Sequence, residues 1–249
     1  MNEDLCKNNR NMHKIVCGFL FAIATTFSSA LSKKFLERPT YVVDRLAHKK
    51  TMYYFGIGSN MLRSKLENRG LNASKIDLID MEPGYVPNYR LAFNMRGFAP
   101  LEPGMGSLEP INGSRPLLAY EKPECHGALV TLTAENYEKV MASEGVSFNQ
   151  TNPGYEEIVV TVIPYDTRKA PVEAIALRAR PHVRLRKDPC PSERYMSILR
   201  EGAKELGLLP SYQEYLNQHP TQFVPVGEDF LAHKVYCYSQ SMFPRTHPE

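Results

Sequence analysis

Short runs of aromatic and β-branched residues alternate along the chain with amphipathic helical segments. Residues 52–57, "MYYFGI", predict a buried strand, and "MLRSKLENRG" after it predicts a helix closed by Gly70. Residues 97–123, rich in Pro and Gly, predict a loop. Further strands are predicted by "YRLAF", "GALVTL", "EEIVVTVIPY" and "VEAIALRAR". Because strands and helices are mixed without strict βαβ alternation, the pattern favours an α+β domain over a doubly wound sheet.

Two longer helices follow from the spacing of apolar side chains. Residues 134–146 have Thr133 as the predicted N-cap and Gly145 as the stop. The second helix, "SERYMSILREGAKELG", stops at Gly207, and a short helix follows Pro210. The inward stripe of the first helix comprises Tyr137, Val140, Met141 and Glu144. A carboxylate in the fourth place of an apolar stripe is unexpected, and it makes Glu144 a candidate for chemistry.

Residues 1–30 differ in pattern from the rest. Lys7, Arg10 and Lys14 precede an apolar run over residues 15–27, which small residues follow. This arrangement is typical of a signal peptide, and the run is shorter than the ~20 residues of a comfortable membrane span. We predict a signal or targeting leader here that directs secretion, anchoring or organelle import. A mis-assigned upstream start is the alternative.

The other boundaries follow from composition. Residues 31–51 are basic and irregular and predict a linker, residues 221–249 predict a C-terminal tail, and the residues between them, 52–220, predict one domain. The chain has 249 residues, of which 43% are hydrophobic, enough to bury the core of one domain. A formal net charge of +3 is too small to indicate nucleic acid as a partner. No cysteine pair has metal-ligand spacing, so no metal is predicted.

The stretch "YYFGIGSNM" predicts a strand that enters a tight glycine turn and then a helix. Glycines let the backbone turn sharply and approach a ligand, and free N–H groups at a helix start can hold a carboxylate or a polarised carbonyl oxygen. The alternative is structural, with Ser59 or Asn60 only capping the helix. The Lys and second Gly of a phosphate-binding loop are missing.

Three blocks in order resemble the γ-glutamylcyclotransferases. "YFGIGSNM" resembles that family's "YFxYGSNM" signature, "HGALVTLTAENYEKVMASEGV" is similar to its strand and helix leading to Glu-Gly-Val, and "PCPSERYMSILREGAKELGLLPSYQEYLNQHP" is similar to its C-terminal helical segment. The blocks span about residues 52–220. The resemblance implies a small mixed β-barrel flanked by helices, and an activity that releases 5-oxoproline from a γ-glutamyl amino acid or amine without a cofactor.

The resemblance also implies site residues. Glu144 takes the place of the family's catalytic acid and base, and Tyr195 takes that of its pocket tyrosine. Tyr155 resembles another family tyrosine with a weaker alignment. The predicted partner is a small γ-glutamyl molecule, and homodimer formation is left open. The substrate-binding loop maps onto Tyr54, Phe55, Gly56, Ile57, Gly58, Ser59 and, next to them, Asn60.

This chemistry explains the misplaced carboxylate. The α-amine of the substrate attacks its own γ-carbonyl, so the ammonium must lose a proton and the leaving nitrogen must gain one. A single carboxylate can do both in turn, and partial burial would raise its pKa toward the working pH. From the residues alone, the commoner interpretation of Glu144 is a surface carboxylate at a frayed helix end, and that of Tyr195 is a core residue at the start of the helix stripe.

The sequence departs from the family pattern in places that concern substrate choice. Ile57 stands where a Tyr is usual, and the strand "AIALRAR" offers Leu177 and Arg178 where a tyrosine is frequent. A catalytically silent binding or scaffold protein and a γ-glutamylamine-specific enzyme therefore remain alternatives. The glutathione-specific relatives carry "YGSL" in place of the "GSN" of this chain, so a preference for glutathione is disfavoured. The basic run 178–187 is typical of a solvated strand edge and turn, with attraction of a polyanion as the alternative.

Overall fold

A computed structural model describes residues 38–69, 75–97, 102–111, 117, 121–146 and 153–222. These residues belong to one compact unit. The predicted leader, nearly all of the predicted tail, and Gly70 lie outside the described residues.

Five strands close into a mixed β-barrel. They are β1 (Met52–Gly56), β2 (Asp80–Pro87), β5 (Glu124–Leu132), β6 (Tyr155–Pro164) and β7 (Val172–Ala179). Their order around the barrel is β1-β5-β2-β6-β7, and β7 closes it by pairing in parallel with β1, where Tyr54 lies opposite Ile175. All other pairs are antiparallel. The predicted α+β class with a small mixed barrel is confirmed.

A separate hairpin and five helices complete the described part of the chain. The hairpin consists of β3 (Tyr89–Arg96) and β4 (Gly104–Pro110). The helices are α1 (Thr40–Ala47), α2 (Arg63–Glu67), α3 (Ala134–Ser143), α4 (Glu193–Glu205) and α5 (Pro210–Gln218), and a 3₁₀ turn spans Gly58–Met61. Side chains from β1, β5, α4 and α5, among them Phe55, Leu129, Met196 and Tyr212, share the hydrophobic core.

The predicted N-cap Thr133 forms, and Ser192 caps the other long helix in the same way. Thr133 Oγ1 accepts a hydrogen bond from the Asn136 N–H at 3.1 Å, and Ser192 Oγ accepts one from Tyr195 N–H at 3.1 Å. The spacing of apolar residues in α4 predicts an inward stripe that includes Ile198 and omits Met196, whereas in the structure Met196 is fully buried and Ile198 only partly buried.

Three predicted segments differ from the structure. The single helix predicted over residues 61–70 is two pieces, because Leu62 has an extended backbone (φ −89°, ψ 111°) and buries its side chain. The loop predicted over residues 97–123 contains strand β4, which its glycines conceal: a Cβ on Gly104 would lie 2.1 Å from the Phe93 carbonyl oxygen. The segment predicted as an irregular linker contains α1.

Candidate active site

The end of helix α3 sets the position of Glu144. Glu144 follows the last helical residue as the C-cap, and Gly145 after it has a φ of +72°. The N–H of Val146 then donates to the Met141 carbonyl at 2.7 Å, and the Val146 side chain is buried. This left-handed glycine ending with a buried apolar residue after it fixes the chain direction. The Glu144 side chain is 12% exposed.

The glycine turn lies against the same carboxylate. After β1 the chain turns at Gly58, whose φ is +63°, and enters the 3₁₀ turn. A Cβ on Gly56 would lie 3.1 Å from the Asn60 Cβ, so the absence of a side chain there makes room for Asn60. Asn60 is itself 5% exposed.

Asn60 connects two predicted site residues. Its Nδ2 donates to Glu144 Oε1 at 2.9 Å and lies 2.7 Å from the Tyr54 hydroxyl oxygen. A carboxylate can only accept, so the amide nitrogen must face Glu144 and the orientation of the amide is fixed. Asn60 Oδ1 is then buried without a hydrogen-bond partner among the described residues. Burial and the charge of Glu144 raise the pKa of Tyr54, so its hydroxyl stays protonated.

Tyr195 approaches the turn from α4. Its hydroxyl oxygen accepts a hydrogen bond from Gly106 N–H of β4 at 3.1 Å, and a Cβ on Gly58 would lie only 2.7 Å from that oxygen. Burial raises the pKa of Tyr195 to about 12. Tyr155 holds the other side of Gly106, because its hydroxyl donates to the Gly106 carbonyl at 2.9 Å. Burial also raises the pKa of Tyr155.

The remaining loop residues divide between the cluster and the core. Ser59 Oγ accepts a hydrogen bond from Arg69 Nη2 at 2.5 Å. Phe55 is fully buried in the hydrophobic core, and Ile57 packs against the same core. Any contact that Phe55 makes with a ligand would therefore use its backbone, whereas the partly buried side chain of Ile57 is still accessible from the turn. The structure brings together Tyr54, Gly58, Ser59, Asn60, Glu144 and Tyr195, which we call the Glu144 cluster.

Two members of this site were missed from the sequence. Arg69 Nη1 donates to Glu144 Oε1, and the two groups form an ion pair. Arg69 follows the short helix α2, and a basic residue at such a place does not by itself indicate a binding site. It lies ten residues after Ser59 in the sequence. Gly106 lies in the segment that was predicted as a loop. Only a prediction that this segment pairs with β3 would have pointed to its place beside the site.

The cluster and Arg69 place groups of opposite charge next to each other. Together they provide a mostly buried carboxylate, a guanidinium, protonated tyrosine hydroxyls and an amide oxygen without a partner among the described residues, all around a glycine turn. The described residues hold no group of three or more His, Cys, Asp or Glu side chains arranged for a metal ion. Within the same residues, every helix is too short or too polar to cross a membrane.

Comparison with known proteins identifies the relatives of this chain. No family model matches the sequence. Gamma-glutamyl cyclotransferase gliK of Aspergillus fumigatus is 26% identical over 186 residues, covering 70% of this chain and 64% of that protein. Gamma-glutamyl cyclotransferase gliK of Claviceps purpurea is 28% identical over 149 residues, covering 59% of this chain and 62% of the relative. The resemblance to the γ-glutamylcyclotransferases is confirmed.

A solved structure supports the same fold. A protein described as gamma-glutamyl cyclotransferase matches with a TM-score of 0.55 and 17% identity, covering 76% of this chain and 99% of that chain. At this identity the likeness concerns the γ-glutamylcyclotransferase fold alone. The chain spans less than two thirds of the length of the two gliK proteins.

Proposed function

We propose that this chain is a γ-glutamylcyclotransferase, a lyase that releases 5-oxoproline and a free amine from a γ-glutamyl amino acid or amine. The observation that carries the proposal is the contact between Glu144 and the glycine turn, made by the Asn60 amide at 2.9 Å. The names of the gliK relatives, both called gamma-glutamyl cyclotransferase, support the same activity.

The reaction needs two proton transfers at neighbouring nitrogens. Glu144 takes a proton from the substrate α-ammonium, and the neutral amine attacks the γ-carbonyl carbon. A new N–C bond closes the five-membered lactam. Glu144 returns that proton to the leaving nitrogen, and the bond from the carbon to this nitrogen breaks. The ring nitrogen still carries one proton more than the lactam has, and Glu144 passes this second proton to the released amine, which leaves as an ammonium. One carboxylate with limited exposure can perform both steps because it stays within reach of both nitrogens.

The unpaired oxygen of Asn60 suits the substrate ammonium. A buried acceptor without a donor costs roughly 1–3 kcal/mol, and a ligand N–H would remove that cost. The ammonium would thus lie between Glu144 and Asn60 Oδ1, with Tyr54 holding the amide in place.

Arg69 suits the substrate α-carboxylate. In a γ-glutamyl group this carboxylate is attached to the carbon that bears the ammonium, so a group bound at Glu144 brings it beside Arg69. Guanidinium groups bind carboxylates through paired N–H donors. Backbone N–H groups of the turn at Gly58 and Ser59 would hold the γ-carbonyl, and Tyr195 would line the pocket.

A catalytically silent binding protein remains the second candidate, as does an enzyme restricted to γ-glutamylamines. Ile57, which replaces a usual tyrosine, motivated these alternatives. Its side chain packs on the core, where a Cβ on Gly127 would lie 3.2 Å from the Ile57 Cγ2. The loss of the tyrosine therefore concerns the walls of the pocket and leaves Glu144 untouched.

The test is incubation of the full chain with γ-glutamyl dipeptides and γ-glutamylamines, with 5-oxoproline detected by mass spectrometry. The same substrates acetylated on the α-amine serve as controls, because they lack the nucleophile. Glu144→Gln should bind substrate but release no lactam. Glu135→Gln, which changes an exposed carboxylate on the same helix, should match the parent.

Each result decides between the candidates. Saturable binding of the substrates without any release of lactam would support the catalytically silent binding protein. Lactam from amines but not from dipeptides would leave the restricted enzyme. Full turnover by Glu144→Gln would remove Glu144 from the mechanism.

A further inference from the structure

A cavity lies apart from the Glu144 cluster. It has a volume of about 690 Å³, within the usual range for small-molecule sites, and no member of the Glu144 cluster lines it. Its walls come from the hairpin β3–β4, the end of β7 and the segment 184–190 that follows. We call it the basic cavity.

The basic cavity has more basic than acidic side chains. Five basic and three acidic residues line it. The acidic residues are already paired: Glu109 with Arg178 at 3.0 Å and Arg184 at 3.2 Å, and Glu121 and Asp188 with Arg90 at 3.1 and 2.6 Å.

Arg186 and Lys187 are the basic residues that remain. Both line the cavity, both are exposed, and neither has a carboxylate partner among the described residues. A concave site with unmatched charge of one sign concentrates ligands of the opposite sign. The two side chains are therefore available to an anion.

Buried groups hold the floor of the cavity in place. The Glu109 side chain is 8% exposed and, besides its arginines, accepts a hydrogen bond from Ser107 Oγ at 3.0 Å. Arg184 is also anchored, because its Nε donates to the Ala179 carbonyl at 3.0 Å. The guanidinium groups of Arg178 and Arg184 are thus fixed before any ligand arrives, which lowers the entropy cost of binding.

Asn94 adds a polar group that lacks a partner. It lines the cavity, is 4% exposed, and donates from Nδ2 to Glu109 Oε1 at 3.1 Å. Because the carboxylate can only accept, the amide nitrogen must face Glu109. Asn94 Oδ1 is then buried with no hydrogen-bond donor in the described part of the chain. A ligand with an N–H or O–H group would satisfy it.

We propose that the basic cavity binds a small organic anion that carries a carboxylate or phosphate beside a hydrogen-bond donor. The anionic group pairs with Arg186 and Lys187, and the donor reaches Asn94 Oδ1. Apolar walls formed by Leu91, Ile111 and Leu117 accommodate a short carbon skeleton. This site is independent of the activity proposed for the Glu144 cluster.

Calorimetric titration of the full chain at low salt tests the proposal with three probes: inorganic phosphate, succinate and 2-acetamidosuccinate. The last two share both carboxylates, and only 2-acetamidosuccinate has an N–H donor. We expect saturable binding of phosphate or 2-acetamidosuccinate, and weaker binding of succinate. Whichever of the first two binds more tightly identifies the anionic group. Equal affinity for succinate and 2-acetamidosuccinate would overturn the role of Asn94.

Matched variants locate the binding. Arg186→Ser combined with Lys187→Ser should weaken it about tenfold or more, since each lost contact is charge-assisted. Lys75→Ser combined with Lys204→Ser removes the same charge from exposed positions outside the cavity and should bind like the parent. Glu144→Gln should also bind normally, because its cluster is separate. Equal affinity of the two double variants, or no saturable binding of any probe to the parent, would overturn the proposal.

Discussion

Arg69 and Glu144 form an ion pair that joins the end of helix α3 to the glycine turn. One guanidinium nitrogen donates to Glu144 Oε1, and the other donates to Ser59 Oγ at 2.5 Å. The Arg69 side chain is 26% exposed and that of Glu144 is 12% exposed. Both charges of a zwitterionic substrate would therefore find an opposite charge in one place, after the two protein groups exchange their present partners.

Replacing Arg69 tests that exchange. Arg69→Met should raise the KM for a γ-glutamyl dipeptide by roughly tenfold to a hundredfold, because a hydrogen bond to a charged group contributes roughly 1.5–3 kcal/mol. The kcat should change less, since Arg69 is not expected to move protons. Arg69→Lys should restore part of the affinity, because it keeps the charge and loses the paired donors.

The control for Arg69 is Arg63→Met. Arg63 is 44% exposed and pairs with Glu67 on helix α2, so its loss should leave both kinetic constants near those of the parent. Steady-state rates of 5-oxoproline release measure all three variants. A lower KM for Arg69→Met would mean that Arg69 blocks the site instead of binding substrate.

The contact between Gly58 and Tyr195 predicts an interaction between two substitutions. Gly58→Ala places a Cβ 2.7 Å from the Tyr195 hydroxyl oxygen and forces alanine to adopt a φ of +63°. Tyr195→Phe removes that oxygen but leaves Gly106 N–H without its acceptor. We expect each single variant to lose stability by about 1–3 kcal/mol. The double variant should lose less than the sum, because the clash disappears with the hydroxyl.

Urea unfolding of the four proteins measures this coupling. Gly207→Ala supplies the control, because Gly207 has a φ of +72° and a Cβ added there would have nothing within 4 Å. It isolates the cost of the left-handed backbone from the cost of the clash. Strict additivity of Gly58→Ala and Tyr195→Phe would contradict the contact.

The sequence predicted the fold well where local patterns agree with the final environment. Thr133, Gly145 and the apolar residues of α3 each act locally, so the helix and its end were predictable. The resemblance to a known family supplied the barrel. Strand β4 was missed because a segment rich in glycine and proline is usually a loop. Here Gly104 and Gly106 are in a strand, and they lack side chains because residues distant in sequence pack close to them.

The candidate site was predictable in its residue types but not in its connections. Glu144 stood out because it is a charge on an apolar stripe, and Asn60 because it lies at the helix start that follows the glycine turn. Their partner Arg69 is one of many basic residues, and only the folded chain brings it to Glu144, 75 positions away in sequence. The burial of Arg38 could not be predicted from the sequence either, since isolated arginines are usually solvent-exposed.

Arg38 anchors the segment before α1 to the barrel. Its Nε donates to Glu157 Oε2 at 2.7 Å, the Tyr137 hydroxyl donates to Glu157 Oε1 at 2.6 Å, and the side chains of Arg38 and Glu157 are 2% and 1% exposed. Arg38→Met should therefore lower the free energy of unfolding by about 3–5 kcal/mol, because it leaves a buried carboxylate without its cation.

A matched arginine and a truncation check this stability prediction. Arg63→Met, at an exposed pair, should cost less than about 1 kcal/mol in urea unfolding. A chain that begins at residue 40 should be destabilised as strongly as Arg38→Met, whereas one that begins at residue 31 should not. Similar losses for Arg38→Met and Arg63→Met would show that the buried pair contributes no more than a surface pair.

Two buried histidines predict how stability depends on pH. Burial lowers the pKa of His126 and of His219 below the ordinary value of 6.5, even though Glu124 lies 3.0 Å from His126 Nε2. The unfolded chain thus binds more protons than the folded one just below that value. The stabilising contribution is complete above pH 6.5 and is lost as the pH falls through the folded pKa values.

The free energy of unfolding should accordingly decrease between about pH 7 and pH 5, by at most ~1.4 kcal/mol per pH unit for each histidine. The carboxylates whose pKa values are lowered by nearby cations, such as Asp44 and Asp166, act only at lower pH. Urea titrations at a series of pH values measure the slope. His126→Gln should flatten it, whereas His48→Gln, at a 63% exposed position, should not. An unchanged slope in His126→Gln would mean that this histidine is protonated in the folded protein as easily as in the unfolded chain.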